Sequence, residues 1–279
     1  MINWLLRTFK RTVIMLAGLG VIYLAVWQFF PFFDNQVPIA LALFATYVFT
    51  AYIFIPAGIR LYRLFFKPTH IPLYCVTPDG FASDPINIGI IGTRAEIIAA
   101  MKKAGWYKAD ERNLKTMVRL GLSLLFRTPY LNAPFSTLYL MGRKQDLGFE
   151  LPVINSPSHR HHVRFWACHM DGPEAFHGDV KFWKRFQRPI KSTDHRQFWI
   201  GAASKDIGII PIRHNAQLTH MIDPDTNAER DLIVADLEKT GYVVDTTTVK
   251  VGAPYKLRNR TLGGFLRADG KMKICILKD

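Results

Sequence analysis

The chain has 279 residues, of which 49% are hydrophobic, and a formal net charge of +14. That length leaves room for one anchor and one ordinary domain, and so basic a chain favours an anionic neighbour such as a lipid headgroup surface, a phosphate-bearing ligand or nucleic acid. Three scattered cysteines, Cys75, Cys168 and Cys275, offer neither a disulfide framework nor a zinc spacing and read as reduced thiols.

Thr12–Phe30 and Pro38–Ile59 are uncharged runs of 19 and 22 residues. Each matches the roughly 20 residues that cross a hydrocarbon core. A cleaved signal peptide is disfavoured for the first run. It holds Tyr23, Trp27, Phe29 and Phe30, lacks an Ala-x-Ala site, and is followed at once by the second. Residues 1–66 therefore read as a transmembrane hairpin. Arg7, Lys10 and Arg11 precede the first span, Arg60, Arg63 and Lys67 follow the second, and the turn carries only Asp34. The basic flanks place both termini in the cytoplasm of a multi-pass protein of the cytoplasmic (inner) membrane.

Residues 67–80, with Pro68 and Pro72, read as a linker, and residues 81–279 as a single α+β domain with a largely antiparallel sheet. Ile86–Ile91 reads as a strand. Thr93 and Glu96 suit a capping box for a helix over Arg94–Ala104, closed by Gly105. Glu111–Phe126 reads as a second helix, with Met117, Leu120, Leu124 and Leu125 as its apolar stripe. Thr137–Met141 and Leu147–Leu151 flank a turn and read as a hairpin pair. His162–Cys168 and Phe198–Ser204 read as strands, the second extended past a bend by Ile207–Ile212. Thr226–Thr240 reads as a helix closed by Gly241, and Tyr242–Val251 as a strand. Phe265–Arg267 and Lys273–Leu277 flank the turn signal Ala268-Asp-Gly270.

Polar clusters then suggest sites. In a strand starting near Arg160, alternation puts Arg160, His162 and Arg164 on one face and His161 on the other. Imidazole moves protons near neutral pH or ligates a metal, and guanidinium forks suit phosphate. The same cluster also arises as a solvated strand end. Thr226 and Glu229 form a capping box and Asp225 suits a helix N-terminus, but His220 and Asp223 precede the helix and could serve acid–base work or a metal. Gly142-Arg143-Lys144-Gln145-Asp146 doubles as a plain charged turn. Ser204 lacks the Gly-x-Ser-x-Gly context of a nucleophile elbow. Lys181, Lys184, Arg185 and Arg188 alternate with Phe182, Trp183 and Phe186, which suits a membrane surface or a solvated loop with packed rings. That composition also suits single-stranded nucleic acid, but no nucleic-acid-binding motif accompanies it, so nucleic acid is not an expected partner. A dinucleotide fingerprint and a P-loop are both missing.

Four motifs carry a family resemblance: Leu138-Tyr-Leu-Met-Gly-Arg-Lys-Gln-Asp-Leu147, Arg160-His-His-x-Arg-x-Trp166, Trp199-Ile-Gly-Ala-Ala-Ser-x-Asp206-x-Gly208 and His220-x-Ile-Asp-Pro-Asp-x-x-x-Glu-Arg-Asp231. With Gly105-Trp106 and Pro129-Tyr130…Ala133-Pro134, they come in the order of the LssY-like C-terminal domain, which residues 75–245 resemble. That family is named for a component linked to type I secretion. In larger relatives the module resembles a partner of membrane domains of the DedA and type-2 phosphatidic acid phosphatase types. The resemblance implies phospholipid or isoprenoid-phosphate metabolism by association alone, and the anchor here is a bare hairpin. Three readings follow. In one, Arg143, Arg160 and Arg164 bind a phosphate-bearing, lipid-like ligand while His162, Asp206, His220 and Asp223 do acid–base work. His162, His220 and Asp223 would then be the candidates for a divalent metal. In the second, the domain is a non-catalytic module for lipid or a membrane-protein partner. In the third, it is a scaffold of a secretion or envelope assembly.

Overall fold

The computed structural model describes residues 12, 16–35, 37–58, 73–78, 80–126, 128, 130–153, 159–168, 186, 195–211, 218–258 and 265–278. The chain divides into two compact units, Met1–Tyr62 and Arg63–Asp279. In the first, helices α1 (Leu16–Asp34) and α2 (Ile39–Gly58) are long and apolar enough to cross a membrane, and hardly any of either is buried. Each contains a π-helical stretch, Ala25–Phe29 and Phe49–Phe54. Phe29 packs edge-to-face on Phe49 at 4.7 Å and on Phe54 at 5.2 Å, so aromatic rings tie the two helices together.

The second unit is α+β. In chain order it comprises β1 (Tyr74–Val76), β2 (Ala82–Pro85), β3 (Ile88–Gly92), α3 (Arg94–Lys103), β4 (Tyr107–Lys108), α4 (Leu114–Phe126), β5 (Tyr139–Leu140) and β6 (Arg143–Lys144). There follow β7 (Leu147–Pro152), β8 (His159–Ala167), β9 (Gln197–Pro211), β10 (Leu218–Ile222), α5 (Thr226–Lys239), β11 (Val243–Lys250), β12 (Tyr255–Arg258), β13 (Phe265–Ala268) and β14 (Lys271–Leu277). The main sheet runs β11-β14-β3-β9-β8-β7-β4, with β10 also on β9. Every pairing in it is antiparallel except β14 with β3. A four-stranded sheet, β2-β1-β5-β6, and the pair β12-β13 complete the unit.

Strand alternation makes two cores. Val163, Phe165, Trp199 and Ala203 face the side covered by α3 and α5, where they meet Ile97, Met101, Ile233 and Leu237. Trp166, Phe198, Ile200 and Ala202 face the other side and meet Cys75 of β1, Leu138 just before β5 and Leu140 within it. Burying side chains of this size contributes about 1.5–3 kcal/mol each. The expected box at α3 is present: Thr93 Oγ1 accepts from the Glu96 amide and the Glu96 carboxylate from the Thr93 amide. Gly201 explains part of the small-residue motif, since a Cβ there would sit 2.6 Å from Ile88 and 2.7 Å from Phe165.

Four local expectations change. The Thr137–Met141 segment does not pair with Leu147–Leu151. β5 pairs instead with β6, Tyr139 opposite Lys144 and Leu140 opposite Arg143, because Met141 and Gly142 both take positive φ (50° and 85°) and close a two-residue turn. β7 is thereby free to join β8. At the C-terminus the Ala268-Asp-Gly270 turn links β13 and β14 without pairing them, and β13 pairs with β12. The cap of α5 is Asp225, whose carboxylate accepts from Asn227 and Ala228. Thr226 instead donates to the Arg267 carbonyl. Finally, the apolar stripe of α4 is not core: Met117 and Leu125 are exposed.

Candidate functional site

Register on β7, β8 and β9 assembles a polar patch. Glu150 lies opposite His162, His162 opposite Ser204, and Arg160 opposite Asp206. Alternation sends all of them, with Arg164, to the face away from α3 and α5. Asp84 at the end of β2 packs over them. All seven side chains are buried. His220 arrives from β10 and keeps 30% of its side chain exposed. An irregularity brings it in: Ile222 opposes Asp206 while His220 opposes Ile209, so β9 carries one extra residue there. Gly208, at a φ of 153° that a side chain would strain, lies in that bulge.

The bonds are specific. Arg164 Nη1 donates to Asp84 Oδ2, and its Nη2 to the Ser136 carbonyl at 3.2 Å. Ser204 Oγ and His162 Nε2 share a hydrogen bond of 2.8 Å, and Asp84 Oδ2 lies 3.4 Å from the same nitrogen. Arg160 Nη1 donates to Glu150 Oε2 at 2.9 Å. On the far side, His162 Nδ1 and His220 Nδ1 lie 3.6 and 3.3 Å from Asp206 Oδ2, and neither makes a hydrogen bond. The Phe135 ring packs on His162 at 5.7 Å and under the Arg164 guanidinium at 4.4 Å.

These surroundings set the charges. Burial would raise the Asp84 carboxyl, but the Arg164 guanidinium and bonds from His162 and Ser204 bring it down to about 2. Burial raises Glu150 to about 7 despite Arg160, with the Asp206 charge adding to the rise. Burial lowers His220, opposed by Asp206 and reinforced by Arg160, His162 and Arg164.

The structure therefore brings His162, Asp206, His220, Arg160 and Arg164 together, and adds Asp84, Glu150 and Ser204. It does not bring in Asp223. That residue's amide donates to the Lys205 carbonyl, and its carboxylate accepts from the Asp225 amide at 2.9 Å, a local turn before α5. Arg143 is elsewhere too. It donates to Asp146 and to the carbonyls of Ala167 and Phe186. The guanidiniums of Arg143, Arg160 and Arg164 thus each donate to protein acceptors. Among the described residues no three His, Cys, Asp or Glu side chains are grouped to hold a metal ion, so a divalent metal on His162, His220 and Asp223 does not fit this arrangement. Lys181, Trp183, Lys184, Arg185 and Arg188 lie outside the described residues. Phe186 is described and is buried under Arg143 at 4.6 Å, not offered to a membrane. His161, on the opposite face as alternation requires, pairs with the buried Glu229 of α5 at 2.7 Å.

Beside the buried patch the surface opens into a cleft of about 90 Å³. The ring of Phe135 lines it. Arg94 from α3, Lys108 from β4, Arg112 before α4 and Lys144 from β6 also line it. Among the described residues none of these four cations has an ion pair. Of the cleft's carboxylates, Asp146 is paired with Arg143, while Asp110, which accepts from the Tyr130 hydroxyl at 2.6 Å, and Glu111 have no cation partner among the described residues. Only Lys144 falls in a motif that the sequence singles out. The four span fifty positions, and the pairing of β4 with β7 and of β6 with β5 is what gathers them.

The family model of the LssY C-terminus matches residues 69–272. No curated protein and no solved structure matches the chain. The match runs from just before β1 into β14 and takes in the main sheet, the buried patch and the cleft, and on that breadth the chain belongs to the LssY C-terminus family.

Proposed function

We propose that this protein is a membrane-anchored module of the cytoplasmic (inner) membrane, with both termini cytoplasmic, that binds a phosphate-bearing, lipid-like ligand through its cleft. The observation that carries the reading is the cleft's imbalance: four cations without ion partners among the described residues line a space with two carboxylates that no cation answers, Asp110 and Glu111. At about 90 Å³ the space suits a phosphate group. It is far below the roughly 300–1,000 Å³ of pockets that enclose a drug-sized ligand, so the rest of a lipid would lie outside it. The two apolar helices support the anchor and keep phosphate-bearing lipid close.

Binding is favoured over hydrolysis by the state of the histidines. Ser204 and His162 are closed from solvent and bonded to each other and to Asp84. A general base must reach the group it deprotonates, and of the two patch histidines His162 is buried while His220 keeps part of its side chain exposed. The buried patch then serves as the rigid floor on which Phe135 rests.

The test is a titration of the full chain in nanodiscs of neutral lipid with inorganic phosphate and with a short-chain phosphatidic acid, read by calorimetry. Both should bind the wild type, and Lys108→Gln with Lys144→Gln should weaken both while the fold is kept. Equal binding by the variant, or none by the wild type, rejects the reading.

A further inference from the structure

Helix α4 faces the wrong way for a soluble domain. Its N-terminus is conventional: Asn113 Oδ1 accepts from the Thr116 amide, and Thr116 Oγ1 accepts in return from the Asn113 amide. The side turned to the body carries Thr116, Leu120 and Ser123, and Ser123 Oγ donates to the Thr128 carbonyl. The side turned outward carries Leu114, Val118, Leu122 and Leu125, at the spacing of one helical face. Leu114 is 83% exposed, Leu125 73% and Phe126 67%. Single exposed apolar side chains are ordinary, but a contiguous stripe of them marks an interaction surface.

We infer that α4 is an in-plane interfacial helix that inserts this outward face into an anionic phospholipid surface. Three observations favour lipid over a protein partner. Lys115 and Arg119 flank the apolar stripe, Arg112 precedes it, and the helix contains no acidic residue, the charge pattern of a helix lying on anionic headgroups. Its 13 residues span about 20 Å, too short to cross a core of about 30 Å. The same chain carries two helices suited to a bilayer, so α4 meets lipid at high local concentration. This inference does not need phosphate binding in the cleft, but it rests on the reading of α1 and α2 as a membrane anchor.

The experiment uses the full chain reconstituted in phosphatidylcholine–phosphatidylglycerol vesicles, with a single environment-sensitive fluorophore on a cysteine introduced at Val118, Leu122 or Thr248. Cys75, Cys168 and Cys275 are buried, so labelling goes to the new site, and Thr248 is an exposed position on β11. Labels at Val118 and Leu122 should shift to the blue and be quenched by doxyl-labelled lipid, while the Thr248 label should do neither. Placing Val118→Asp and Leu122→Asp together should abolish quenching of a label at Leu125 while near-ultraviolet dichroism stays unchanged. A blue shift without lipid quenching would mean that protein, such as a second copy, covers the face. No shift would mean that it stays in water. Either result overturns the inference.

Discussion

The buried patch of β7–β9 and the cleft beside it are built from the same residue types and differ in how their charges are answered. In the patch, Asp84 meets Arg164 and Glu150 meets Arg160, with most donors and acceptors paired inside the protein. In the cleft, Arg94, Lys108, Arg112 and Lys144 have no ion partner among the described residues and outnumber the two carboxylates beside them that no cation answers, Asp110 and Glu111. Removing one partner of a buried pair strands the other charge and costs several kcal/mol, so the patch holds the fold. Charges that the fold leaves unanswered in water cost little and stay available to an outside anion. Clusters of histidine and arginine in a sequence cannot by themselves tell these two situations apart.

Substitutions separate the two regions. Asp84→Ala should have the largest effect, about 3–5 kcal/mol of lost stability, read by denaturant unfolding of the full chain in micelles. The loss should be non-additive with Arg164→Met, because the double variant removes both charges. A small effect would show the patch to be solvated. Gly201→Ala should cost about 1–3 kcal/mol through overpacking against Ile88 and Phe165, measured the same way. Asp225→Ala should cost on the order of 1 kcal/mol as a lost cap and leave phosphate titrations unchanged. Lys108→Gln and Lys144→Gln should stay within about 0.5 kcal/mol of wild-type stability.

A pH series sharpens the same contrast. Glu150 has an ordinary value of 4.5 and titrates at about 7 in the fold, where burial raises it. Between those values the folded state holds a proton that the unfolded chain has released. Stability from this group is therefore full below 4.5 and is lost as pH rises through 7. Glu150→Gln should flatten that alkaline-going decline. His220 acts in the opposite sense: its lowered value means that stability falls as acid protonates the unfolded imidazole first. His220→Asn should flatten the decline on the acid side.

Much of the patch is legible in the amino-acid sequence, because a strand alternates. The separation of His162 from His161 follows from their adjacency, and the two meet different partners, Ser204 and Glu229. Glu150 within Leu147-Gly-Phe-Glu-Leu151 is a signal that polar clustering misses, since a lone carboxylate in an apolar strand needs a buried cation. The hairpin around Met141-Gly142 takes a different partner from the one expected because a turn signal marks a reversal but not its length. Spacing from the helix start draws Asp223 toward the site, although a carboxylate two residues before an amide closes a local turn with equal ease. The cleft has no linear signature, as its four cations come from separate elements. On α4 the period is readable, but periodicity reports a stripe and not what lies against it.

The open cleft, not the buried histidine patch, is proposed to take the phosphate group. This is tested most directly by calorimetric titration of the full chain in nanodiscs with short-chain phosphatidic acid, comparing wild type, Lys108→Gln with Lys144→Gln, and His162→Asn. The lysine variant should lose binding, and the histidine variant, provided its unfolding profile shows that it is folded, should keep it. Binding that survives the loss of both lysines and disappears with His162 would contradict the proposal.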